Sequence, residues 1–367
     1  MSISIYSKRV LLPGGLTEAT VFIDNGKISA IEKGKIEKDG YQLDDCGSSV
    51  IMPGLIDSHV HINEPGRTEW EGFNTATQAA AAGGITTLVD MPLNSSPVSI
   101  NGKAFRQKLD ASNGKLHVNC GFWGGLVPEN IDDLDELLNA GVLGIKAFLT
   151  HSGIDEFPNV TEADLRKAIP ILKKHDALLL VHCELDSPHA DQQLLENSPT
   201  SYKAYLASRP KEWEDKAIAL MIKLCEEYKV RTHIVHLSSA NSIEQLKTAK
   251  AKGLPISVET CTHYLYFNAE DIRDGATEYK CAPPIREKEN NEQLWQALKD
   301  GLIEFVVTDH SPAPPELKEL ESGNFKKAWG GIAGLQFSLP AFWTQAKERN
   351  FSIENVADLM SLNVAKF

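Results

Sequence analysis

The stretch "GLIDSHVHIN", Gly54 to Asn63, decides how the rest of the chain is read. It opens as an apolar strand and ends in two histidines with one residue between them. Successive side chains of a strand point to opposite faces, so His59 and His61 point the same way. It is part of the first of eight short apolar runs. These are "VIMPGLIDSHVH", "GITTLVDMP", "LHVNCGFWGG", "GIKAFL", "ALLLVHCE", "RTHIVHLSS", "PISVETCTHY" and "IEFVVTDHSP". Each is apolar nearly throughout, as parallel strands covered on both faces are. Between most of them lie stretches of helical period, such as "TEADLRKAIPILKKH" and "AIALMIKLCEEYKV". Eight such beats predict an α/β fold, a (β/α)8 TIM barrel over residues 51–345.

Outward from the barrel, residues 1–50 read as a small N-terminal β-sandwich module. In it "ATVFIDNGKISAIEKG" is two alternating runs joined by Asn25-Gly26, a hairpin signal. Residues 346–367 read as the start of a C-terminal helical segment. The spacers after the fifth and seventh runs are too long for one helix. They predict loops on the C-terminal face, where barrel enzymes build their sites. "RPKEWED" in the first of them is either a lid segment or a solvated helix start.

With 367 residues and 42% hydrophobic content the chain can bury a large core. Its net charge of -13 argues against a nucleic-acid partner and against an anionic membrane surface. The six cysteines are scattered with no C-x-x-C pair, the usage of a reducing compartment. The opening "MSISIYSKRV" does not read as a signal peptide, and no apolar run reaches the ~18 residues of a membrane span. The cytoplasm is the expected location.

The ends of the strands carry the chemistry. The first ends in His59 and His61, the fourth carries Lys146, the fifth ends in His182, the sixth in His236 and the eighth in Asp309. Five strands thus put metal-competent or titratable residues at one end of the barrel. Four neutral imidazoles and a carboxylate suit zinc or a similar divalent ion. They are too many for one catalytic zinc, which takes three protein ligands, and about right for two ions with a bridge. Lys146 lies in an apolar strand, where its neutral form is favoured. A neutral amine can add carbon dioxide, and the resulting carbamate has two oxygens able to bridge two metals. Taken singly each residue has a plainer reading: a structural His-x-His, a lysine that snorkels to the rim, an Asp that caps a helix. Their joint placement favours the metal site.

These residues, with "PGLIDSHVHINEPGRTEWEGF", "MPLNSSP", "GFWGGLVPEN", "KAFLTHSGIDEFPNV", "HLSSA", "ETCTHYL", "KCAPPIRE" and "AWGGIAGLQFSLP", resemble the cyclic amidohydrolases of the amidohydrolase superfamily, above all its allantoinase branch. The resemblance implies two divalent metal ions, zinc or else cobalt or manganese. His59, His61 and Asp309 would hold one ion, and His182 and His236 the other. Lys146 would be the carboxylated bridge, and Asp309 would also be the catalytic proton carrier. The implied reaction is hydrolysis of the cyclic amide bond of (S)-allantoin to allantoate.

Two departures separate this chain from relatives. Dihydroorotases carry an arginine two residues after the His-x-His, where this chain has Asn63, and hydantoinases a tyrosine soon after the lysine, where it has Thr150 and His151. A broader hydantoinase-like cyclic amidase and a non-catalytic scaffold are the alternative readings. By resemblance, the backbone near Cys281, Trp329 and Gly330 contacts the substrate ring, with Asn94 and Ser311 as side-chain candidates. Both are also ordinary turn and cap residues. His263 is read as structural, and the assembly as a homotetramer. Family members continue beyond a segment like "SLNVAKF" and complete the β module, so the resemblance implies that its C-terminal half is missing here.

Overall fold

The structure, a computed structural model, describes residues 2–188 and 190–367. Its first layer is one sheet of β1 (Ser2–Leu12), β2 (Gly15–Asp24), β3 (Lys27–Lys33), β4 (Gln42–Asp45) and β5 (Val50–Ile51). The order is β3-β2-β1-β4, with β5 paired to β1. β2 and β3 pair antiparallel around Asn25 and Gly26, both at positive φ (51° and 75°), as a tight hairpin with right-handed twist requires.

The barrel follows. Its strands are β6 (Leu55–Val60), β7 (Ile85–Asp90), β8 (Asn119–Phe122), β9 (Gly124–Gly125), β10 (Gly144–Phe148), β11 (Leu178–His182), β12 (Thr232–Ile234), β13 (Ile256–Cys261) and β14 (Phe305–Val307). All pairings among them are parallel. β8 and β9 are two halves of the run "LHVNCGFWGG". β8 pairs with β7 and β9 with β10. The break falls at Trp123, whose indole N–H donates to Ser58 O at 2.8 Å. The ring closes between first and last strands, where His61 N–H donates to His310 O at 2.7 Å and Val60 bridges His310. Eight apolar runs therefore make eight staves.

The spacers are amphipathic for a stated reason. Helix Glu162–Lys174 starts at Thr161, which exchanges capping hydrogen bonds with Asp164, and buries Leu165, Ala168, Ile169 and Leu172. That i, i+3, i+4, i+7 stripe faces the barrel, and each buried Leu or Ile contributes about 1.5–3 kcal/mol. Helix Lys211–Tyr228 buries Ala217, Ile218, Met221, Leu224 and Cys225 the same way. "RPKEWED" is the entry to this helix, and it is not solvated, because Trp213 and Glu214 are buried. Helix Ser338–Glu348 runs across residue 345, where the sequence sets the barrel's end, because Phe342 and Ala346 bury one face of it. Beyond it, Ser361 Oγ donates to Gly54 O (2.9 Å) and Asn363 Nδ2 to Glu304 O (2.8 Å), which fastens the last residues to the barrel.

Candidate metal centre

His59 lies in β6 and His61 one residue past it, Lys146 in β10, His182 at the end of β11, His236 two residues past β12, and Asp309 two past β14. All six face one cavity of about 340 Å³ at the C-terminal end of the barrel. His236 and Asp309 reach it through a bend, each with positive φ (39° and 47°). Non-glycine residues hold that conformation at a local cost, and such positions concentrate at functional sites.

The hydrogen bonds fix which nitrogen each imidazole presents. His59 Nδ1–H donates to Glu259 Oε1 at 2.5 Å, and its Nε2 lies 3.1 Å from Asp309 Oδ1. His61 Nδ1–H donates to Leu93 O at 2.8 Å, and its Nε2 lies 3.4 Å from the same Asp309 oxygen. His59, His61 and Asp309 thus offer three ligand atoms within 4.8 Å of one another, a group able to hold a metal ion. On the other side His182 Nε2–H donates to Glu184 Oε2 at 2.7 Å. That leaves its Nδ1 facing His236 Nε2 at 3.0 Å. Two imidazole nitrogens bound to one tetrahedral zinc at 2.0–2.1 Å stand roughly 3.3 Å apart, so this pair is close to ligand spacing. A carboxylate or carbonyl behind the second ring nitrogen, as in His59, His61 and His182, is the usual support of a metal-bound histidine; His236 Nδ1 has no partner among the described residues.

Electrostatics agree. Burial lowers the pKa of His61 and His182, and that of His236 well below the usual value, so these rings stay neutral and keep a lone pair. Burial opposes charge on His59 too, but Asp309 and Glu259 outweigh it and raise His59 to about 9. Burial also pushes Asp309 up, yet His59 and its hydrogen bonds hold the carboxyl well below its ordinary range. Lys146 is the most informative group. Its Nζ is fully buried and has no hydrogen-bond partner among the described residues. Burial lowers its pKa to about 8. An unpaired buried amine costs several kcal/mol unless something satisfies it. The donor set and this orphaned nitrogen fit a metal pair with a lysine-derived bridge.

Asn94, Cys281, Ser311, Trp329 and Gly330 all line the same cavity. Gly331 beside them has no room for a side chain: a Cβ there would meet Ser311 O at 2.4 Å, at φ +146°. Asn63, Thr150 and His263 fall outside the wall. Asn63 is fully buried and donates weakly to Pro312 O (3.4 Å). Thr150 Oγ1 donates to Asp186 (2.6 Å), while His151 stands on the rim. His263 is buried and pushed down to about 4, and its ring packs on Tyr264. Sequence reasoning missed Glu259, Glu184 and Arg209. Arg209, at the C-terminal end of helix Tyr202–Ser208, pairs with Glu184, and the pair holds Glu184 at about 2 against the opposing effect of burial. A signal was present: Glu184 and Glu259 are carboxylates inside apolar runs, and Glu184 stands two residues after His182, on the same face.

Residues 50–367 match the amidohydrolase family. The chain belongs to the amidohydrolase family. Within it the enzyme is a hydrolase of the allantoinase group. It is 48% identical over 363 residues to a mitochondrial allantoinase of Aquarana catesbeiana, covering 99% of this chain and 75% of that one. It is 48% identical to an allantoinase of Streptomyces avermitilis, with 98% and 80% covered. Among solved structures it resembles the L-hydantoinase (dihydropyrimidinase) of Arthrobacter aurescens, with a TM-score of 0.91 at 28% identity, covering 99% and 81% of the two chains. That neighbour has the same barrel with an N-terminal β domain, so the expected fold stands. The family is metal-dependent, and His59, His61 and Asp309 supply a cluster for it. Among the described residues no helix is long and apolar enough to cross a membrane.

Proposed function

We propose that this amidohydrolase hydrolyses the cyclic amide bond of (S)-allantoin to allantoate. The centre would be two divalent ions, zinc or else cobalt or manganese. His59, His61 and Asp309 would hold one and His182 and His236 the other, with the CO2-derived carbamate of Lys146 between them. The observation that carries the reading is the orphaned Lys146 Nζ in one cavity with four imidazoles and Asp309. Similarity to allantoinases from a frog and a bacterium gives it a substrate.

Such ions, when bound, bring a water's pKa toward neutrality and polarise the amide carbonyl. The chain's own residues do the rest. Asp309, ionised and 3.1 Å from His59, accepts the proton of the attacking water and delivers it to the departing ring nitrogen. Glu259 and Glu184 hold His59 and His182 in one tautomer throughout. Asn94, Ser311 and the backbone near Cys281, Trp329 and Gly330 would orient an uncharged ureide ring, whose N–H and C=O groups want hydrogen bonds rather than a salt bridge. Asn63, buried and off the cavity wall, supplies no clamp for a carboxylate. A hydantoinase-like amidase is the second reading, favoured by the solved structures it resembles. The reading also takes the enzyme as a cytoplasmic homotetramer, checked by light scattering and fractionation.

The deciding experiment measures allantoate formed from (S)-allantoin by protein loaded with zinc, cobalt or manganese, with bicarbonate present. Lys146→Ala runs beside it. Turnover by the parent and its loss in the variant support substrate and bridge together. Faster turnover of hydantoin or dihydrouracil would transfer the assignment to the second reading.

A further inference from the structure

Several lysines stand near the substrate cavity and take no part in the metal centre, and two of them turn onto its wall. Lys280 precedes Cys281, and Lys318 lies in the short turn Pro315–Lys318. Both ammoniums are spent on one strip of backbone, residues 326–331. Lys280 Nζ donates to Ala328 O at 2.6 Å and more distantly to Lys326 O at 3.5 Å. Lys318 Nζ donates to Gly331 O at 2.7 Å and to Trp329 O at 3.1 Å. The strip's N–H groups are also used: Ala328 to Asn324 O (2.9 Å), Trp329 to Leu317 O (2.7 Å) and Gly331 to Lys280 O (2.8 Å).

What is left over matters. Between Ala328 and Gly331, only the N–H and C=O of Gly330 have no backbone or side-chain partner among the described residues. Gly330 lines the cavity and sits over Cys281, whose Cα is 4.0 Å from where a Gly330 Cβ would be. The Cys281 carbonyl is taken by the Tyr205 hydroxyl at 2.6 Å, and its N–H is unpaired among the described residues. Gly330 and Cys281 thus contribute two donors and one acceptor of backbone beside the cavity. The edge of a cyclic ureide, N–H beside C=O, is their complement.

We infer that Lys280 and Lys318 are positioning residues for the substrate, turning the carbonyls of the strip toward themselves so that Gly330, beside Cys281, is left to present its own backbone groups to the ring. The inference rests on the ureide reading of the site. It explains how these two cations can stand beside a site for an uncharged ligand: their charge is absorbed by carbonyl dipoles. Burial lowers both to about 8, so both are still ammoniums, with protons to donate, at neutral pH.

The test uses the full chain loaded with zinc, comparing Lys280→Met and Lys318→Met with the parent. Metal content is measured first, then kcat and KM for allantoin, hydantoin and dihydrouracil, and binding of the best of these by calorimetry at low and high salt. The expected result is unchanged metal content, KM and Kd raised tenfold or more, kcat within about threefold, and little dependence of the parent's binding on salt. A variant that binds the ring as tightly as the parent overturns the inference. So does loss of metal with KM unchanged, which would put the lysines behind the metal centre. Strong weakening by salt would also overturn it, since it would mean direct charge recognition. If the parent acts on another ring and not on allantoin, the proposed substrate fails while the variant-to-parent ratio on that ring still decides the lysines. A parent that binds none of the three rings refutes both.

Discussion

Glu259→Gln separates the charge of the site's support from its shape. Glu259 is 1% exposed. Its Oε1 accepts from His59 Nδ1–H at 2.5 Å and from His236 N–H at 3.3 Å, and its Oε2 lies 3.1 Å from His233 Nε2. A glutamine keeps the volume. Its carbonyl oxygen can accept from His59 and His236, and its amide then faces His233 Nε2. That nitrogen can accept if the His233 proton sits on Nδ1, 2.8 Å from Ser257 Oγ. The fold of the metal-free chain should therefore survive, with a change within about 1 kcal/mol.

The charge, however, is lost. Together with Asp309 it raises His59 to about 9 against burial, and a basic imidazole is the better ligand. Removing such a support costs roughly 10–100-fold in metal affinity, about 1.4–2.8 kcal/mol. The assay is competition for zinc against a chromophoric chelator, with thermal melts of the metal-free chain alongside. Glu259→Ala is the contrast. It strands the His59 donor and the His236 N–H, at about 1–3 kcal/mol each, so it should lose stability as well as zinc. A glutamine variant that holds zinc as tightly as the parent would refute the reasoning, since the carboxylate would then act only as a spacer.

Other perturbations have equally definite outcomes. Lys108→Met breaks a pair in which the buried ammonium contacts Asp90 and donates to Met91 O at 3.0 Å, and should cost about 3–5 kcal/mol in a urea melt at pH 8. Burial raises Asp90 from 3.8 to about 6 even with the lysine present, and without it the carboxyl rises further. The native state then holds a proton that the unfolded chain has released, so stability falls as pH rises from about 4 through 6 and beyond. The variant should accordingly be least impaired near pH 4–5, and a deficit that shrinks at high pH would contradict the assignment. Gly331→Ala forces a Cβ to 2.4 Å from Ser311 O at φ +146° and should lower stability by at least about 1–3 kcal/mol. Gly330→Ala, whose nearest neighbour would be 4.0 Å away, should melt within about 0.5 kcal/mol of the parent, as calorimetry of the two side by side will show. Cys281 borders the cavity, but burial pushes its thiol to about 12; iodoacetamide mapped by peptide mass should label half-exposed Cys46 well before it.

The barrel was readable because strands covered on both faces have no polar face to show, so each stave appears as one apolar run. The split of the third stave was not readable. Nothing in "GFWGG" announces that Trp123 reaches across to Ser58 O while the two glycines pair onward with Ile145 and Lys146. The six candidate ligands were visible for the opposite reason: a titratable residue at the end of an apolar run stands out against it. Their supports were harder to read, because what each support touches, or what holds it, comes from elsewhere in the fold. Glu259 is 200 residues from His59, and Arg209 acts on His182 only through Glu184. A sequence shows that a buried carboxylate must be satisfied, and only the fold shows by what.

This difference also divides the site by its construction. Apart from Asp309 and His236, which overhang their strands by two residues, the candidate ligands sit on or directly beside strands whose pairing fixes the backbone. The groups that would meet a ring sit on loops: Asn94 after β7, Cys281 in the long passage after β13, and Ser311 and the 326–331 strip after β14. A loop holds a position only as well as its own hydrogen bonds do. The 326–331 strip is held by five of its N–H groups and by two lysines that converge on it from separate segments of chain. Substitution there can reshape what the cavity accepts while the strands keep the metal donors in place. A change of substrate among such chains should therefore begin in the loops and leave the strand ends as they are.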